Sequence, residues 1–274
     1  MKKLVKSVWR QLAPRSYWTA RLKQVRSGVH EPELFLIPAL ADPKAMSVDV
    51  GAAMGTFIAH LLGRSSQVLA FEPRPRQAAD LRDMVQTLRL PVRVESVALS
   101  DQAGTATLRM LVNDLGRSTI DSGNKLDDPD GSPRTEVKVP MKRLDDYALE
   151  DVGFLKIDVE GHELSVLDGA SQLVARTRCN ILIETEDRHH VGATSAVFEW
   201  MSSRGYLGYF LHDGRLTPVQ AFDRTVHQNE ANIGGWRSGW ERRGVYVNNF
   251  MFVPPEKNES FLAACDSLGF ARAA

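Results

Sequence analysis

The stretch Ser47-Val-Asp-Val-Gly-Ala-Ala-Met-Gly-Thr56, followed by Val68-Leu-Ala-Phe-Glu-Pro73, decides the fold of this chain. It predicts an apolar strand, a turn that carries Gly51 and Gly55, a helix, and a second apolar strand that ends in an acid. Because glycine has no Cβ, the backbone of this turn bends sharply and approaches a ligand closely. Glu72 closes the second strand, where a carboxylate accepts hydrogen bonds from both hydroxyls of a ribose. This arrangement suits a nucleotide-like ligand.

The spacing of the glycines narrows the choice of ligand. The phosphate-binding pattern G-x-G-x-x-G is absent, and the sequence from Asp49 to Gly55 reads D-x-G-x-x-x-G. That difference points away from a dinucleotide and toward S-adenosylmethionine. Asp49 is then expected to receive the ammonium group of the cofactor, and Pro73 to stop the second strand. An ordinary tight turn with a loop-stapling acid is the alternative. A nicotinamide-dependent oxidoreductase needs the missing spacing and is the weaker rival.

Strands and helices alternate along the chain, which predicts an α/β fold with a mostly parallel sheet covered by helices on both faces. The predicted strands are 46–50, 67–71, 92–99, 105–111, 137–141, 154–159, 180–183, 206–211 and 250–253. The predicted helices among them are 56–62, 75–90, 162–174 and 195–204. Ligands of such sheets bind outside the carboxyl ends of the strands, and acids occur at or just after several of these predicted ends. Leu99 and Asp101 follow the third strand and are expected beside an adenine ring, although Asp-x-x-Gly is also a common turn.

A second informative block is Phe154-Leu-Lys-Ile-Asp-Val-Glu-Gly-His-Glu-Leu164. Its apolar strand delivers Asp158 to the sheet edge, where we expect it to bind cofactor near the reacting methyl group. There it would orient an acceptor hydroxyl or take up its proton. Glu163 is interpreted as an acid that favours a helix N-terminus. The role of Glu160 is left open, as is the choice between a packing and a basic His162.

The segment Glu184-Thr-Glu-Asp-Arg-His-His190 lies past the fifth core strand, at the same predicted edge. Its acids and imidazoles indicate polar contacts on the substrate side, with His189 as a second candidate for the general base. No metal site is predicted, because adjacency in sequence does not supply convergent ligands.

Composition excludes several classes of protein. The 274 residues carry a formal net charge of zero, so no global field selects nucleic acid as a partner. Cys179 and Cys265 form no paired spacing, which fits a reducing, cytoplasmic compartment. No apolar run is long enough to span a membrane, and the N-terminus lacks the pattern of a secretion signal.

The first 27 residues are basic and amphipathic. Apolar side chains recur at helical spacing, and every charge before Glu31 is positive. This pattern fits a helix lying on the inner face of an anionic membrane, and equally a helix packed on the domain with its basic side in water. We therefore expect an N-terminal helix and connector over 1–43, a catalytic domain over 44–254 and a C-terminal tail over 255–274. Insertions at 113–135 and 212–244 are expected to shape the acceptor site, with Trp236 and Trp240 in the second.

Taken together, the motifs resemble the FkbM family of S-adenosylmethionine-dependent methyltransferases. The resemblance covers about residues 46–253 and rests on six blocks: Asp49-Val-Gly-Ala-Ala-Met-Gly55, Ala70-Phe-Glu-Pro73, Val97-Ala-Leu-Ser-Asp-Gln-Ala-Gly104, Leu144-Asp145, Lys156-Ile-Asp-Val-Glu-Gly-His-Glu-Leu164 and Leu167-Asp-Gly-Ala170. It implies a Rossmann-like class I methyltransferase with a seven-stranded sheet. It also implies O-methylation of a sugar, glycan, glycolipid or natural-product hydroxyl.

The resemblance implies which residues bind the cofactor, and this chain differs from the family motif at one of its positions. By similarity the cofactor set is Asp49, Gly51, Gly55, Glu72 and Asp101, with Asp158 near the methyl group. Such proteins often have Asn where this chain has Ala53, so one polar contact to the cofactor is lost. That loss keeps a non-catalytic S-adenosylmethionine-binding module as an alternative. No oligomeric state is predicted.

Overall fold

The computed structural model describes residues 2–28, 31–112, 116–126, 131–233 and 244–273. The strands are β1 Met46–Val50, β2 Val68–Phe71, β3 Val92–Glu95, β4 Ala98–Leu99, β5 Gly104–Leu111, β6 Ser118–Thr119, β7 Arg134–Lys142, β8 Val152–Ile157, β9 Asn180–Glu184, β10 Leu207–His212, β11 Arg215–Pro218, β12 Asn249–Val253 and β13 Ala271–Arg272. The helices are α1 Lys2–Leu12, α2 Pro14–Ser27, α3 Ile37–Leu40, α4 Thr56–Leu61, α5 Pro75–Leu88, α6 Glu163–Asp168, α7 Ser171–Thr177, α8 Ala193–Ser202, α9 Arg224–His227 and α10 Pro255–Ser267.

The main sheet has the order β13-β11-β10-β12-β9-β8-β1-β2-β3. Its central strands β3, β2, β1, β8 and β9 pair in parallel, and β12 runs antiparallel to both β9 and β10. β1, β2, β8 and β9 read as nearly continuous apolar runs because helices cover both of their faces. The predicted α/β class is confirmed.

The main sheet contains nine strands, so the expected count of seven is wrong. The seven expected strands are the run from β3 to β10. Asp213 and Gly214, both with positive φ, turn the chain after β10 so that β11 pairs back onto it. β13 then adds to β11 at the edge. The C-terminal residues expected as a tail therefore contain an edge strand, and α10 buries Phe261 and Cys265.

A second sheet of four strands has the order β4-β7-β5-β6. β5 and β7 form its antiparallel pair, as the sequence predicts for 105–111 and 137–141. The single third strand predicted over 92–99 is wrong. The chain leaves the main sheet after Glu95, and β4 pairs with Met141 and Lys142 of β7 instead. The two sheets thus separate at residues 96 and 97.

The helix predicted over 162–174 is also interrupted, into α6 and α7. Gly169 and Ala170 lie between them, and a Cβ on Gly169 would stand 1.9 Å from the carbonyl oxygen of Ser100. The Gly169 carbonyl accepts a hydrogen bond of 2.9 Å from the backbone of Asp145. Close backbone packing, which only glycine permits here, ends the first helix.

The N-terminal segment forms two helices separated at Pro14, which lacks the backbone N–H needed to continue a helix. α2 packs on α4 and α5, and Trp18 is buried with its indole N–H donating to Asp83 at 3.1 Å. Arg10 of α1 donates to Asp80 and Asp83 of α5 at 2.6 and 2.8 Å. Of the two interpretations, packing on the domain is therefore correct for α2. In the described ranges, no helix has the length and apolar character to cross a membrane.

Candidate functional site

A cavity opens where β1, β2 and β8 end and the second sheet begins. Five of the residues predicted for the site line it: Gly51, Glu72, Pro73, Leu99 and Asp158. The stretch from Gly116 to Ile120 supplies another wall, so part of the expected insertion 113–135 does face the site. The predicted residues Asp49, Gly55, Asp101 and His189 lie outside its lining. The paired tryptophans expected at 236 and 240 fall outside the described residues.

Asp49 is fully buried near the end of β1, behind the cavity wall. Among the described residues, neither of its carboxylate oxygens has a hydrogen-bond partner. Burial raises its pKa to about 6, although the nearby Lys156 charge opposes the shift. A buried carboxylate with no donor is unfavourable by itself and is suited to receive a cationic group of a ligand. This observation fits the ammonium group of S-adenosylmethionine.

The turn after β1 holds three residues in the left-handed region. Gly51 and Gly55 each have φ of +84°, and Ala53 has φ of +48°. A Cβ on Gly51 would lie 1.8 Å from the carbonyl oxygen of Asp158, so glycine lets β1 and β8 close together at the cavity. Gly55 instead caps α4 and packs against Leu81, where a Cβ would be 3.0 Å from the Leu81 side chain. The left-handed Ala53 is strained, because its Cβ crowds the backbone.

Glu72 is buried at the end of β2, and four donors reach its carboxylate. The backbone N–H of Ala53 donates at 2.7 Å, and that of Arg74 at 2.9 Å. The Arg74 guanidinium adds two bonds of 2.8 and 3.1 Å. An ionised carboxylate offers about four acceptor positions, so ribose hydroxyls here would replace or share bonds with Arg74. Sequence reasoning missed Arg74, whose only signal is its position two residues after the acid.

Leu99 and Asp101, both predicted beside the adenine ring, differ in their exposure and in their distance from the cavity wall. Leu99 is buried in its wall, whereas Asp101 is exposed and accepts a hydrogen bond of 2.9 Å from Ser100. The Ser100 hydroxyl also lies 2.9 Å from Nε2 of His162, which lines the cavity. Burial lowers the pKa of His162, although Asp121 and Asp101 oppose the shift. His162 is thus a polar wall residue tied to the loop after β4.

Asp158 follows β8 at the cavity wall, and its Oδ2 accepts a bond of 2.7 Å from Lys156 Nζ. The Lys156 side chain is buried, and although burial alone would lower its pKa, Asp158 and Asp49 hold that pKa above its ordinary value. Lys156 therefore stays protonated between two acids. Lys156 is part of the sequence block that predicts Asp158, but the sequence does not predict the hydrogen bond between the two side chains.

Glu160 and His189 meet beside Asp158. His189 Nε2 lies 3.2 Å from Glu160 Oε2 and 3.9 Å from Glu186 Oε1, and neither His189 Nε2 nor Glu160 Oε2 has a hydrogen-bond partner in the described part of the chain. Burial raises the pKa of Glu160 to about 8, whereas burial and Arg188 lower the pKa of His189 to about 4. Sequence reasoning left Glu160 open and did not connect it to His189. Glu160 follows β8 and His189 follows β9, and the two residues meet because these strands pair side by side in the sheet.

The other acids after β9 are already bound within the protein. Glu186 accepts two bonds from Arg188, at 2.5 and 2.8 Å, and a third from the Tyr246 hydroxyl. Glu184 accepts a bond of 2.7 Å from Asn248. Within the described ranges, no three His, Cys, Asp or Glu side chains are placed to hold a metal ion. The segment 184–190 thus supports the site from behind.

Known proteins are similar to this chain in sequence and in fold. Residues 49–207 match the family model described as the methyltransferase FkbM domain. The 2-O-methyltransferase NoeI of Sinorhizobium fredii is 26% identical in an alignment of 182 residues that covers 58% of this chain and 73% of that protein. The 31-O-demethyl-FK506 methyltransferase FkbM of Streptomyces tacrolimicus is 34% identical in an alignment of 158 residues that covers 46% of this chain and 60% of that protein.

A solved structure has the same fold. Methyltransferase FkbM from Methylobacillus flagellatus superposes with a TM-score of 0.50 at 13% identity, covering 85% of this chain and 58% of that one. At this identity the likeness concerns the fold alone. The chain spans 58% of that protein's length and 60% of the Streptomyces relative's.

Proposed function

The chain belongs to the methyltransferase FkbM family, and from that premise we propose that it is an S-adenosylmethionine-dependent O-methyltransferase. Its acceptor is a hydroxyl of a sugar, glycan, glycolipid or other natural product. The observation that carries the proposal is the orphaned, buried carboxylate of Asp49 behind a cavity walled by Glu72 and Asp158. The Asp49 carboxylate accepts no hydrogen bond from the described residues, although the Lys156 charge is nearby, and a cationic ligand group would supply the missing donors.

The residues present fit the cofactor. Asp49 receives the ammonium group, Glu72 binds the ribose hydroxyls, and Leu99 with Asp101 flanks the adenine. Gly51 lets β1 and β8 lie close together next to the cofactor, and Gly55 lets the chain turn from β1 into α4. When bound, S-adenosylmethionine supplies a methyl group on a positively charged sulfur, ready for in-line attack by an oxygen. The protein contributes alignment of the two reactants and exclusion of water.

Asp158 and His189 act on the acceptor side of this site. Asp158 lines the cavity and is fixed by Lys156, which suits it to orient the acceptor hydroxyl. His189 is buried behind the wall, 3.2 Å from Glu160, and so acts through that neighbour. We infer that Asp158→Asn retains cofactor binding and loses turnover. Full activity of this variant would remove Asp158 from the mechanism.

The nature of the acceptor follows from the relatives and from the walls. One relative is named for 2-O-methylation and another for 31-O-demethyl-FK506, so both names specify an oxygen acceptor. Of the two expected insertions, the stretch from Gly116 to Ile120 lines the cavity, and we infer that it contacts the acceptor.

Binding and transfer assays test the proposal. Isothermal titration with S-adenosylmethionine should show a saturable site, with NAD as the negative control and Glu72→Ala as the site variant. Transfer of labelled methyl groups to methyl glycosides and to 31-O-demethyl-FK506 then tests catalysis. Cofactor binding without transfer to any acceptor would favour the non-catalytic module, and NAD binding would favour the oxidoreductase.

We also propose peripheral contact with the inner face of an anionic membrane through residues 1–27. Arg10 ties one side of α1 to α5, while Val8, Trp9 and Leu12 are 44, 39 and 82% exposed on the other. Exposed basic side chains of the segment include Lys6, Arg15 and Lys23. An apolar stripe beside cations suits an anionic lipid surface.

Vesicle sedimentation tests this contact. The protein should sediment with phosphatidylglycerol vesicles and much less with phosphatidylcholine vesicles. A Trp9→Ser/Leu12→Ser variant should lose binding, and Val226→Ser, an exposed apolar residue far along the chain, should not. Equal sedimentation of all variants would reject the membrane contact.

A further inference from the structure

We propose that Glu160 is the group that takes the proton from the acceptor hydroxyl, with His189 as its positioning residue. This inference rests on the proposed methyl transfer and names a residue for it. Glu160 lines the same cavity as Asp158, two residues farther along the chain. It is the acid of the cavity wall whose carboxylate is left without a donor in the described part of the chain, at its Oε2 atom.

The two neighbouring wall acids are committed to other contacts. Asp158 accepts a hydrogen bond of 2.7 Å from the Lys156 ammonium group. Glu72 accepts hydrogen bonds from the Arg74 guanidinium and from the backbone N–H of Ala53. A base must be free to accept a proton at the moment of reaction. Of the three acids in the wall, Glu160 is the one that accepts no hydrogen bond from a Lys or Arg side chain in the described part of the chain.

Burial is the main reason that the pKa of Glu160 is raised, and the surrounding charges partly offset one another. Asp158 and Glu186 disfavour its ionised form, and the Arg188 and Arg117 charges favour it. The Arg188 guanidinium is held by Glu186 in two hydrogen bonds. His189 is buried and prefers its neutral form, so it contacts Glu160 without forming a stable ion pair. Glu160 therefore acts as a base in its ionised form, whose share grows as pH rises through about 8, so methyl transfer should increase with pH across this range.

The backbone of Glu160 shows that its position is held at a cost. Its φ is +58°, a left-handed conformation that few residues other than glycine adopt. The Asn124 side chain fixes this conformation by donating to the Glu160 carbonyl at 2.7 Å. Such strain persists only where the surrounding structure imposes it. A residue selected only for stability at this position would be Gly or Asn.

The proposed step balances in atoms and electrons. The acceptor oxygen forms a bond to the methyl carbon, and the bond from that carbon to sulfur breaks with its electron pair left on sulfur. The hydroxyl proton passes to the Glu160 carboxylate. His189 keeps that carboxylate facing the cavity, and the proton leaves to solvent after product release.

Three variants test the assignment. Glu160→Gln keeps the side-chain size and removes the base, so methyl transfer to a competent acceptor should fall about 10²–10⁴-fold. Its Kd for S-adenosylmethionine, measured by titration, should stay within a few fold of the parent's. The matched control is Glu163→Gln, a buried carboxyl three residues later whose task is to accept the Gly161 N–H. That variant should keep its turnover.

Thermal unfolding supplies the second readout. Glu160→Gly should raise the Tm while abolishing transfer, because it relieves the left-handed strain and deletes the base. A lowered Tm for Glu160→Gly, or unchanged turnover for Glu160→Gln, would overturn the proposal. Failure of the parent protein to bind S-adenosylmethionine would instead count against the proposed function. The two failures are therefore distinct.

Discussion

Lys156 Nζ lies 2.7 Å from Asp158 Oδ2, and this ion pair joins the end of β8 to the cavity wall. The lysine is 2% exposed and the aspartate 28%. Asp49, on the neighbouring strand β1, is paired in register with Lys156. One buried cation therefore stabilises two acids, one assigned to the cofactor and the other to the acceptor.

Removal of that cation should destabilise the protein. Lys156→Met leaves Asp49 and Asp158 without compensation, and we expect a loss of about 3–5 kcal/mol in the free energy of unfolding. Urea denaturation measures this loss. The double variant Lys156→Met/Asp158→Asn should recover part of it, since one uncompensated charge is gone. A neutral effect of Lys156→Met would contradict the role of the buried pair.

Cofactor affinity should depend on pH through Asp49. Its pKa of about 6 in the folded protein means that the carboxyl becomes neutral below that pH and loses its attraction for an ammonium group. The Kd for S-adenosylmethionine should therefore rise as pH falls from 7 to 5. Titrations across this range test it, and Asp49→Asn should bind weakly with little pH dependence. A flat profile in the parent would contradict the assignment.

The same pKa has a consequence for the ligand-free protein. A folded pKa above the ordinary 3.8 means that the folded state binds more protons between those two values. The contribution of Asp49 to stability is thus lost as pH rises from about 4 to 6. Asp49→Asn should raise the free energy of unfolding at pH 7 by about 1–3 kcal/mol. Denaturation without cofactor measures it, and a decrease would refute the prediction.

Ala53 should respond to substitution by asparagine. Its φ of +48° suits Asn better than Ala, and an Asn side chain restores a polar contact near the cofactor. We expect Ala53→Asn to be equally or more stable and to bind S-adenosylmethionine more tightly. Ala53→Gly is the matched control, because it relieves strain without adding a polar group. Equal cofactor affinity in all three proteins would show that the contact is unimportant here.

Asp83 should link the N-terminal helices to the domain. It accepts hydrogen bonds from Arg10 and from the indole of Trp18. Asp83→Ala should lower the free energy of unfolding by about 1–2 kcal/mol, with the partly exposed Arg10 contributing little of it. Limited proteolysis within residues 1–28 should also accelerate. Asp80→Ala, which loses only an Arg10 contact, should have a smaller effect on both measurements.

The sequence by itself determined the strand, turn and helix of the first block and the strand that delivers Asp158. These features are local: β1 and α4 begin where predicted because apolar runs and left-handed glycines act within a few residues. Family membership followed from the same blocks. The break after Glu95 and the interruption at Gly169 were missed, because each depends on a strand or carbonyl far away in the chain.

Only the tertiary structure decided which acids are free to act. Asp158 and Glu160 are both acids that follow β8, and the sequence does not distinguish their roles. In the structure Lys156 forms an ion pair with Asp158, whereas His189 lies beside Glu160. The pairing of β8 with β9 brings Glu160 and His189 together across almost thirty residues of chain. Burial and charge contacts then set the proton affinity of each group, and both depend on the packed fold.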